Sequence, residues 1–93
     1  MKYRSRTEII TMILDSARTG TTKTKIMYKA YLSYGQLQDY LKFLITNEFI
    51  ACEEGSQIHR TTEKGLQYLN VSYQMNELVT ERDSKYYKLV MNQ

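Results

Sequence analysis

The sequence predicts a mainly α-helical fold with a small β-hairpin, in which three short helices precede the hairpin and one long helix follows it. Apolar residues recur at helical spacing in the first half, and a glycine-containing turn separates two short segments of β-type sequence. After Gly65 the chain contains neither glycine nor proline. Its 93 residues can bury one modest core. We therefore predict a folded domain over residues 1–61 and a long helix over residues 62–93.

The first helix is predicted over about residues 6–18. Ser5 and Glu8 have the spacing of a capping box, in which the serine accepts from a helix amide and the glutamate reaches back. Gly20 lies just beyond the last apolar position and favours termination there. The apolar side chains at helical spacing are Ile9, Ile10, Ile13, Leu14 and Ala17.

The second helix is predicted over about residues 23–30, with Thr21 or Thr22 as its N-cap. Its first turns carry Lys23 and Lys25, although the N-terminus of a helix dipole favours anions. A neighbouring phosphate would make these lysines favourable, and simple solvation is the alternative interpretation. The apolar side of the helix consists of Ile26, Met27 and Ala30.

The third helix follows after a link of two residues and is predicted to run to about Thr46. Ser33 and Gln36 form a second capping-box pattern at its start, and Asn47 is predicted as a left-handed C-cap. Its core-facing stripe is predicted to be Leu37, Leu41, Leu44 and Ile45. Two short helices joined by so tight a turn are typical of a helix-turn-helix.

The opposite side of the third helix is polar. With the leucines turned inward, Tyr34, Gln38, Asp39 and Lys42 fall on the outer side. In a helix-turn-helix the second helix enters the major groove, where glutamine can pair with adenine and lysine can contact guanine or phosphate. A tyrosine hydroxyl can donate to a phosphate. Ordinary solvated surface is the alternative interpretation of this set.

A β-hairpin is predicted from two short segments, residues 49–53 and 57–61, around a glycine-containing turn. Ile50 and Cys52 are predicted to point inward by alternation, as is Ile58 on the partner strand. Three helices followed by a small hairpin specify a winged helix.

The last predicted helix runs from Thr62 to about Met91. At 1.5 Å per residue it spans roughly 42 Å, which is longer than the preceding domain is wide. The predicted seam, at alternating three- and four-residue steps, consists of Tyr68, Val71, Met75, Leu78, Arg82, Lys85 and Leu89, with Val79, Tyr86 and Val90 as a second apolar edge. Because this stripe exceeds what a small domain can cover, we predict a homodimer joined by this helix.

The charge is unevenly distributed along the chain. The formal net charge is +3, but residues 1–47 carry eight basic and three acidic side chains, and residues 48–93 carry five and seven. A basic amino half is typical of a polyanion-binding surface, although small basic domains without such a partner are common.

Composition excludes several other function classes. One cysteine, Cys52, rules out an internal disulfide, and together with the single histidine, His59, it cannot form a closed zinc site. The chain has no glycine-rich phosphate loop, paired-carboxylate site or apolar run of about 18 residues. We predict a protein that is not an enzyme, needs no cofactor, does not enter a membrane and resides in the cytoplasm, associated with the nucleoid.

Residues 4–70 resemble the small archaeal winged-helix DNA-binding proteins, which include chromatin-associated members and predicted transcription regulators. The resemblance lies in E-I-I, T-K-T-K-I-M-Y, L-S-Y-x-Q-L-x-x-Y-L and T-x-K-G-x-x-Y after the hairpin. It implies double-stranded DNA binding and dimerisation through an antiparallel coiled coil of the last helix. By resemblance, the DNA-binding positions are Ser33, Tyr34 and Gln36 at the start of the third helix, and Lys23 and Lys25 before it.

Two features depart from this pattern. Glu53 and Glu54 place carboxylates beside the hairpin turn, so that a DNA contact from the wing would have to come from Arg60 or His59 on the second strand. The helix seam weakens at Arg82 and Lys85. The sequence thus favours a dimeric DNA-binding transcription regulator, with a chromatin-type architectural protein or a winged-helix protein-interaction module as alternatives.

Overall fold

The fold is mainly helical, with a two-stranded antiparallel hairpin between the third and fourth helices. The computed structural model describes the backbone of residues 4–91 and the side chains of residues 4–78. The elements are α1 Arg6–Ser16, α2 Lys23–Lys29, α3 Tyr34–Thr46, β1 Ile50–Cys52, β2 His59–Thr61 and α4 Glu63–Met91. The predicted winged helix-turn-helix with a long carboxyl-terminal helix is confirmed, and the strands are shorter than predicted.

Polar side chains cap the first three helices. Ser5 Oγ accepts from Glu8 N at 3.1 Å at the start of α1. Thr22, rather than Thr21, caps α2. At the start of α3 the capping box is complete, because Ser33 Oγ accepts from Gln36 N and Gln36 Oε1 accepts from Ser33 N, at 3.3 and 3.0 Å. These bonds satisfy amides that the helix itself leaves unpaired.

Two details of α3 differ from the prediction. Asn47 is the C-cap, but its φ is −93°, and the left-handed residue is Glu48, with a φ of 63°. Ile45 was predicted to face the core and is 41% exposed, whereas Leu37, Leu41 and Leu44 are buried. The three leucines form the buried stripe of the helix. Ile45 is rotated about the helix axis away from the middle of that stripe, by nearly the angle that separates consecutive residues.

The core is formed by α1, α2, α3, β1 and the first turns of α4. Its largest fully buried side chains are Ile13, Leu14, Ile26, Leu37, Leu44, Ile50 and Leu69. Gly65 allows α4 to approach the hairpin closely, because a Cβ there would collide with the Phe49 carbonyl and the Thr61 methyl group. The core therefore fixes the orientation of α3 relative to both the hairpin and α4.

The hairpin is joined to the helices by its second strand. β1 pairs with β2 in the register Ile50–Thr61 and Cys52–His59. On the other side of β2, Thr21 forms an isolated bridge with His59, with N–O distances of 2.9 and 2.8 Å. Thr61 Oγ1 also donates to Leu14 O at 2.6 Å. β2 is therefore held by the end of α1 and by the link that follows it.

Cys52 is exposed, so its predicted inward position is wrong. Ile50, two residues earlier on the same strand, is buried as predicted, and Ile58 is partly buried. Strand alternation places Ile50 and Cys52 on one face, but every residue from 51 to 57 is exposed. The core ends at Ile50, and the rest of β1 continues into solvent.

The first part of α4 packs on its own domain. Leu69 is 1% exposed, and the Tyr68 ring meets the Phe49 ring edge to face, with centroids 5.6 Å apart. The Tyr73 hydroxyl donates to Asp15 at 3.1 Å. Beyond this point α4 continues to Met91, and the molecule extends 62 Å along its long axis.

Candidate nucleic-acid interface

The turn between α2 and α3 is held in a left-handed conformation without glycine. Tyr31 has a φ of 54°, which is uncommon for a residue with a side chain. The turn is closed by Leu32 N, which donates to Met27 O at 3.1 Å. Ala30 and Leu32 are both buried and fix the turn to the core. The start of α3 therefore has a defined position relative to α2.

Arg4 binds the end of α2 from the amino-terminal segment. Its guanidinium donates to the carbonyls of Ala30 and Tyr31, the latter at 2.9 Å, and contacts Met12 Sδ at 3.1 Å. A cation is favourable at the carbonyl-rich C-terminus of a helix. Arg4 thus stabilises the turn that carries α3, a role that the sequence did not reveal because the partners lie 26 and 27 residues away.

The outer side of α3 presents a row of three polar side chains, which we call the α3 row: Tyr34, Gln38 and Lys42. They follow one another at four-residue spacing, so they lie along one side of the helix, and all three are exposed. Gln38 Nε2 donates to the Tyr34 hydroxyl at 2.8 Å. Asp39, also predicted on the outer side, is exposed. A Cβ at Gly35 would meet nothing within 4 Å, so the first turn of α3 is open to a ligand.

Two predicted site residues, Ser33 and Gln36, take part in the α3 capping box described above. In that box Ser33 Oγ and Gln36 Oε1 both act as acceptors. The serine hydroxyl hydrogen and the glutamine amide hydrogens are not used by these two bonds. Both side chains are exposed, so they can combine the capping role with donation to an external acceptor.

The chain segment that contains α2 carries basic side chains and no carboxylate. Lys23 and Lys25 are exposed at the start of α2, as predicted from the sequence, and Lys29 is exposed at its end. From Ser16 to Gln38 the chain contains four basic residues and no acidic residue. Arg18 is paired with Asp15 just before this segment, whereas the three lysines form no ion pair with another described residue.

The wing differs from this segment. Arg60, the candidate binding residue on β2, forms an ion pair with Glu53 at 2.8 Å, and both side chains are about half exposed. Its guanidinium also lies against Gly20, whose φ is 90°. His59 is 5% exposed and is enclosed by the pairing with Thr21. The structure thus turns Arg60 towards a carboxylate and buries His59.

The exposed part of α4 carries an apolar stripe. Val71, Met75 and Leu78 are 54%, 59% and 62% exposed, whereas Tyr68 is partly buried against Phe49. A groove of about 200 Å³ between α1 and α4 is lined by Thr7, Tyr68, Val71, Ser72, Met75 and Asn76. The side chains of Val79, Tyr86, Leu89 and the charged seam residues Arg82 and Lys85 lie outside those that the structure describes. Among the seam residues whose side chains are described, Val71, Met75 and Leu78 are therefore more exposed than Tyr68.

No group of three or more potential metal ligands occurs among residues 4–78. None of the helices, as far as they are described, is long and apolar enough to cross a membrane. The neighbouring Tyr73 and the hydrogen bond to Asp15 raise the pKa of Arg18 above its ordinary value.

Sequence reasoning missed two further tyrosines on the helix-turn-helix surface. Tyr28 and Tyr31 are 70% and 78% exposed, and Tyr34 is 61% exposed. Their spacing of three residues was visible in the sequence. Their shared exposure was not, because it depends on the left-handed turn at Tyr31.

Comparison with known proteins places this architecture in a family. The chain matches the winged helix-turn-helix family over residues 3–80. An uncharacterised protein of Methanocaldococcus jannaschii is 32% identical over 80 residues, which cover 85% of this chain and 80% of the relative. The crystal structure of Sso10a-2, a DNA-binding protein from Sulfolobus solfataricus, is similar, with a TM-score of 0.77 and 25% identity over 92% of this chain and 93% of that one. This chain is therefore a member of the winged helix-turn-helix family.

Proposed function

We propose that this protein binds double-stranded DNA as a homodimer and acts as a transcription regulator in the cytoplasm, associated with the nucleoid. The observation that carries the proposal is the exposed α3 row, held on a winged helix-turn-helix beside a segment without carboxylates. The similarity to Sso10a-2, a DNA-binding protein, supports it. Residues 1–61 would contact DNA, and residues 62–93 would join the two copies.

The α3 row provides complementary contacts for a major groove. One Gln38 amide hydrogen goes to the Tyr34 hydroxyl, which leaves a second amide hydrogen and the carbonyl oxygen. These are the donor and acceptor that an adenine N7 and N6 require. The Tyr34 hydroxyl can donate its own hydrogen to a phosphate. Lys42, one turn later, supplies a positive charge for the backbone or for a guanine.

Phosphate contacts would surround this central row. Lys23 and Lys25 lie at the start of α2, and Ser33 and Gln36 offer donors at the start of α3. Such contacts set the position of the protein on the duplex without reading its sequence. Arg60 can join them only after it leaves Glu53, so we assign it a peripheral contact.

Dimerisation is assigned to α4. Val71, Met75 and Leu78 expose a continuous apolar stripe on the part of the helix that leads away from the domain. Tyr68, at the start of the predicted seam, is shared with the packing against Phe49. Val79, Tyr86 and Leu89 would extend the stripe towards the end of the helix. A second copy of α4 is the partner of matching chemistry, because it carries the same stripe.

A salt titration tests DNA binding. Affinity for a random duplex should fall steeply as salt increases, because lysines that neutralise phosphates release counterions. Replacement of Lys42 by alanine should reduce the salt slope by about one unit. An affinity that is independent of salt, or no duplex binding, would reject the proposal and favour the protein-interaction module.

Analytical ultracentrifugation tests the dimer separately. The unmutated protein should sediment as a dimer, and Met75→Asp together with Leu78→Asp should produce a folded monomer, because each aspartate would be buried without a partner. Met12→Leu, a volume-conserving change on α1, serves as the control and should remain dimeric. A monomeric unmutated protein would remove α4 from the proposal without affecting the assignment of α3.

A further inference from the structure

Three tyrosines form a second feature of the helix-turn-helix surface, which we call the tyrosine row: Tyr28, Tyr31 and Tyr34. They are 70%, 78% and 61% exposed and lie three residues apart, from the last turn of α2 to the first residue of α3. A tyrosine ring is a large apolar group that typically becomes buried in a core or an interface. Three such rings exposed on one short segment make it a candidate binding surface.

The backbone that carries the tyrosine row is fixed. Ala30 and Leu32 are buried between the exposed tyrosines, and Arg4 binds the carbonyls of Ala30 and Tyr31. At the far end, the hydrogen bond from Gln38 holds the Tyr34 hydroxyl at 2.8 Å. A ligand that contacts these rings therefore meets a backbone of defined conformation, which reduces the ordering entropy lost on binding.

The charges around the row match a nucleic acid strand. Lys29 lies between Tyr28 and Tyr31 in the sequence and is exposed, and the segment from Ser16 to Gln38 contains no carboxylate. Aromatic rings for bases and lysines for phosphates are the two components of surfaces that bind single strands. A duplex offers only phosphates and groove edges to this surface, since its base faces are already stacked on one another.

We propose that the tyrosine row binds single-stranded DNA, with unpaired bases stacked on Tyr28 and Tyr31 and the backbone contacting Lys29. This mode goes beyond duplex recognition, which uses neither Tyr28 nor Tyr31. The two surfaces adjoin at Tyr34, so a strand that becomes unpaired beside a bound duplex would lie next to the row. DNA is therefore the strand to which we assign this surface.

The test compares ring removal with ring retention. In one variant Tyr28 and Tyr31 are both replaced by leucine, and in the control both are replaced by phenylalanine. Both variants keep apolar side chains and the same strain at position 31, but only the second keeps the aromatic faces. The probe is a fluorescent oligothymidylate of about 12 nucleotides, within the range that single-strand surfaces cover. A random duplex, an oligouridylate of equal length and thermal unfolding are measured in parallel.

The leucine variant should bind oligothymidylate about thirtyfold more weakly, as expected for the loss of two stacked bases, and the phenylalanine variant should stay within about twofold. Duplex affinity should change little in either. Equal oligothymidylate affinity for both variants, or equal losses on duplex and single strand, would overturn the proposal, as would tighter binding of oligouridylate. Failure of the duplex proposal would appear separately, as absence of duplex binding by the unmutated protein.

Discussion

The helix-turn-helix and the wing, the two parts of this fold that can face DNA, differ in how they use charge. From Lys23 to Thr46 the chain has four basic residues and one carboxylate, Asp39, and none of the four forms an ion pair with another described residue. At the wing, Glu53 lies just before the turn and Glu54 lies in it, and Arg60 on β2 is paired with Glu53 at 2.8 Å. One part leaves its positive charges available to a ligand, and the other neutralises its own.

This difference shows that membership of a fold family does not assign the same role to every element. The hairpin here is held by internal bonds, through Thr21, His59 and Thr61, and its tip carries negative charge. Like charges facing a phosphate backbone are unfavourable and suppress contact. We therefore assign the wing a mainly structural role, in which it supports α3, and assign DNA recognition to α2 and α3.

Charge reversal should give the largest contrast between the two parts. Lys25→Glu combined with Lys42→Glu should weaken binding to any duplex about a hundredfold, since two phosphate contacts are lost and two repulsions are gained. A single charge reversal in each part gives the matched pair: Lys42→Glu alone should weaken binding about tenfold, and Arg60→Glu in the wing should weaken it by no more than about threefold, because this arginine is already paired. Fluorescence anisotropy with a labelled duplex measures all three variants. Similar losses of duplex affinity in the helix-turn-helix and wing variants would show that the two parts do not differ in their use of charge.

Removal of a base-reading amide should change sequence preference rather than general affinity. Gln38→Ala should reduce discrimination by about 1–3 kcal/mol at one base pair of a selected duplex. Gln57→Ala, a change of the same kind in the exposed wing, is the control and should leave preference unchanged. Binding to a panel of single-base variants measures the effect. Preferences left intact by Gln38→Ala would show that Gln38 does not read a base, and an unmutated protein with little sequence preference to lose would favour the chromatin-type alternative.

Loss of the hydrogen bonds from Arg4 should destabilise the turn between α2 and α3. Arg4→Ala should lower the free energy of unfolding by about 1–2 kcal/mol, because two carbonyls at the end of α2 lose charged donors. Urea unfolding followed by circular dichroism measures this loss. Arg18→Ala, which removes an exposed arginine from the end of α1, is the control and should cost less. A stability equal to that of the unmutated protein would show that the turn does not depend on Arg4.

The smallest expected change in duplex affinity comes from breaking the ion pair between Arg60 and Glu53 in the wing. Glu53→Gln should strengthen duplex binding about two- to threefold, because it removes a carboxylate and frees Arg60 to meet a phosphate. Glu54→Gln removes the same charge from the same turn without freeing Arg60, so the difference between the two variants isolates the arginine. Equal affinities in both variants would mean that Arg60 never reaches DNA.

Much of the fold could be predicted because its signals are local. The capping positions at Ser5 and Ser33 depend on residues three positions away, and the leucines of α3 repeat with the helical period. The same period also predicted the exposed outer side of α3, from Tyr34 to Lys42. For these features, neighbouring residues contain nearly all of the relevant information.

The remaining features depend on contacts between distant parts of the chain. Arg4 reaches residues 26 and 27 positions away, and Thr21 pairs with His59 across the domain. The left-handed turn at Tyr31 has no glycine to mark it. Cys52 was predicted inward because alternation gives the face of a strand but not where the core beneath that face ends. The exposed tyrosines became recognisable only once the turn was known.

The most direct test of the central claim is amide chemical-shift mapping of the protein on a bound duplex, which is practical for a chain of 11.0 kDa. We predict that the largest shifts fall on residues 23–25 at the start of α2 and on residues 33–42 along α3, and that residues 53–58 of the wing shift little. Large shifts at residues 53–58, with residues 34–42 unchanged, would contradict this prediction.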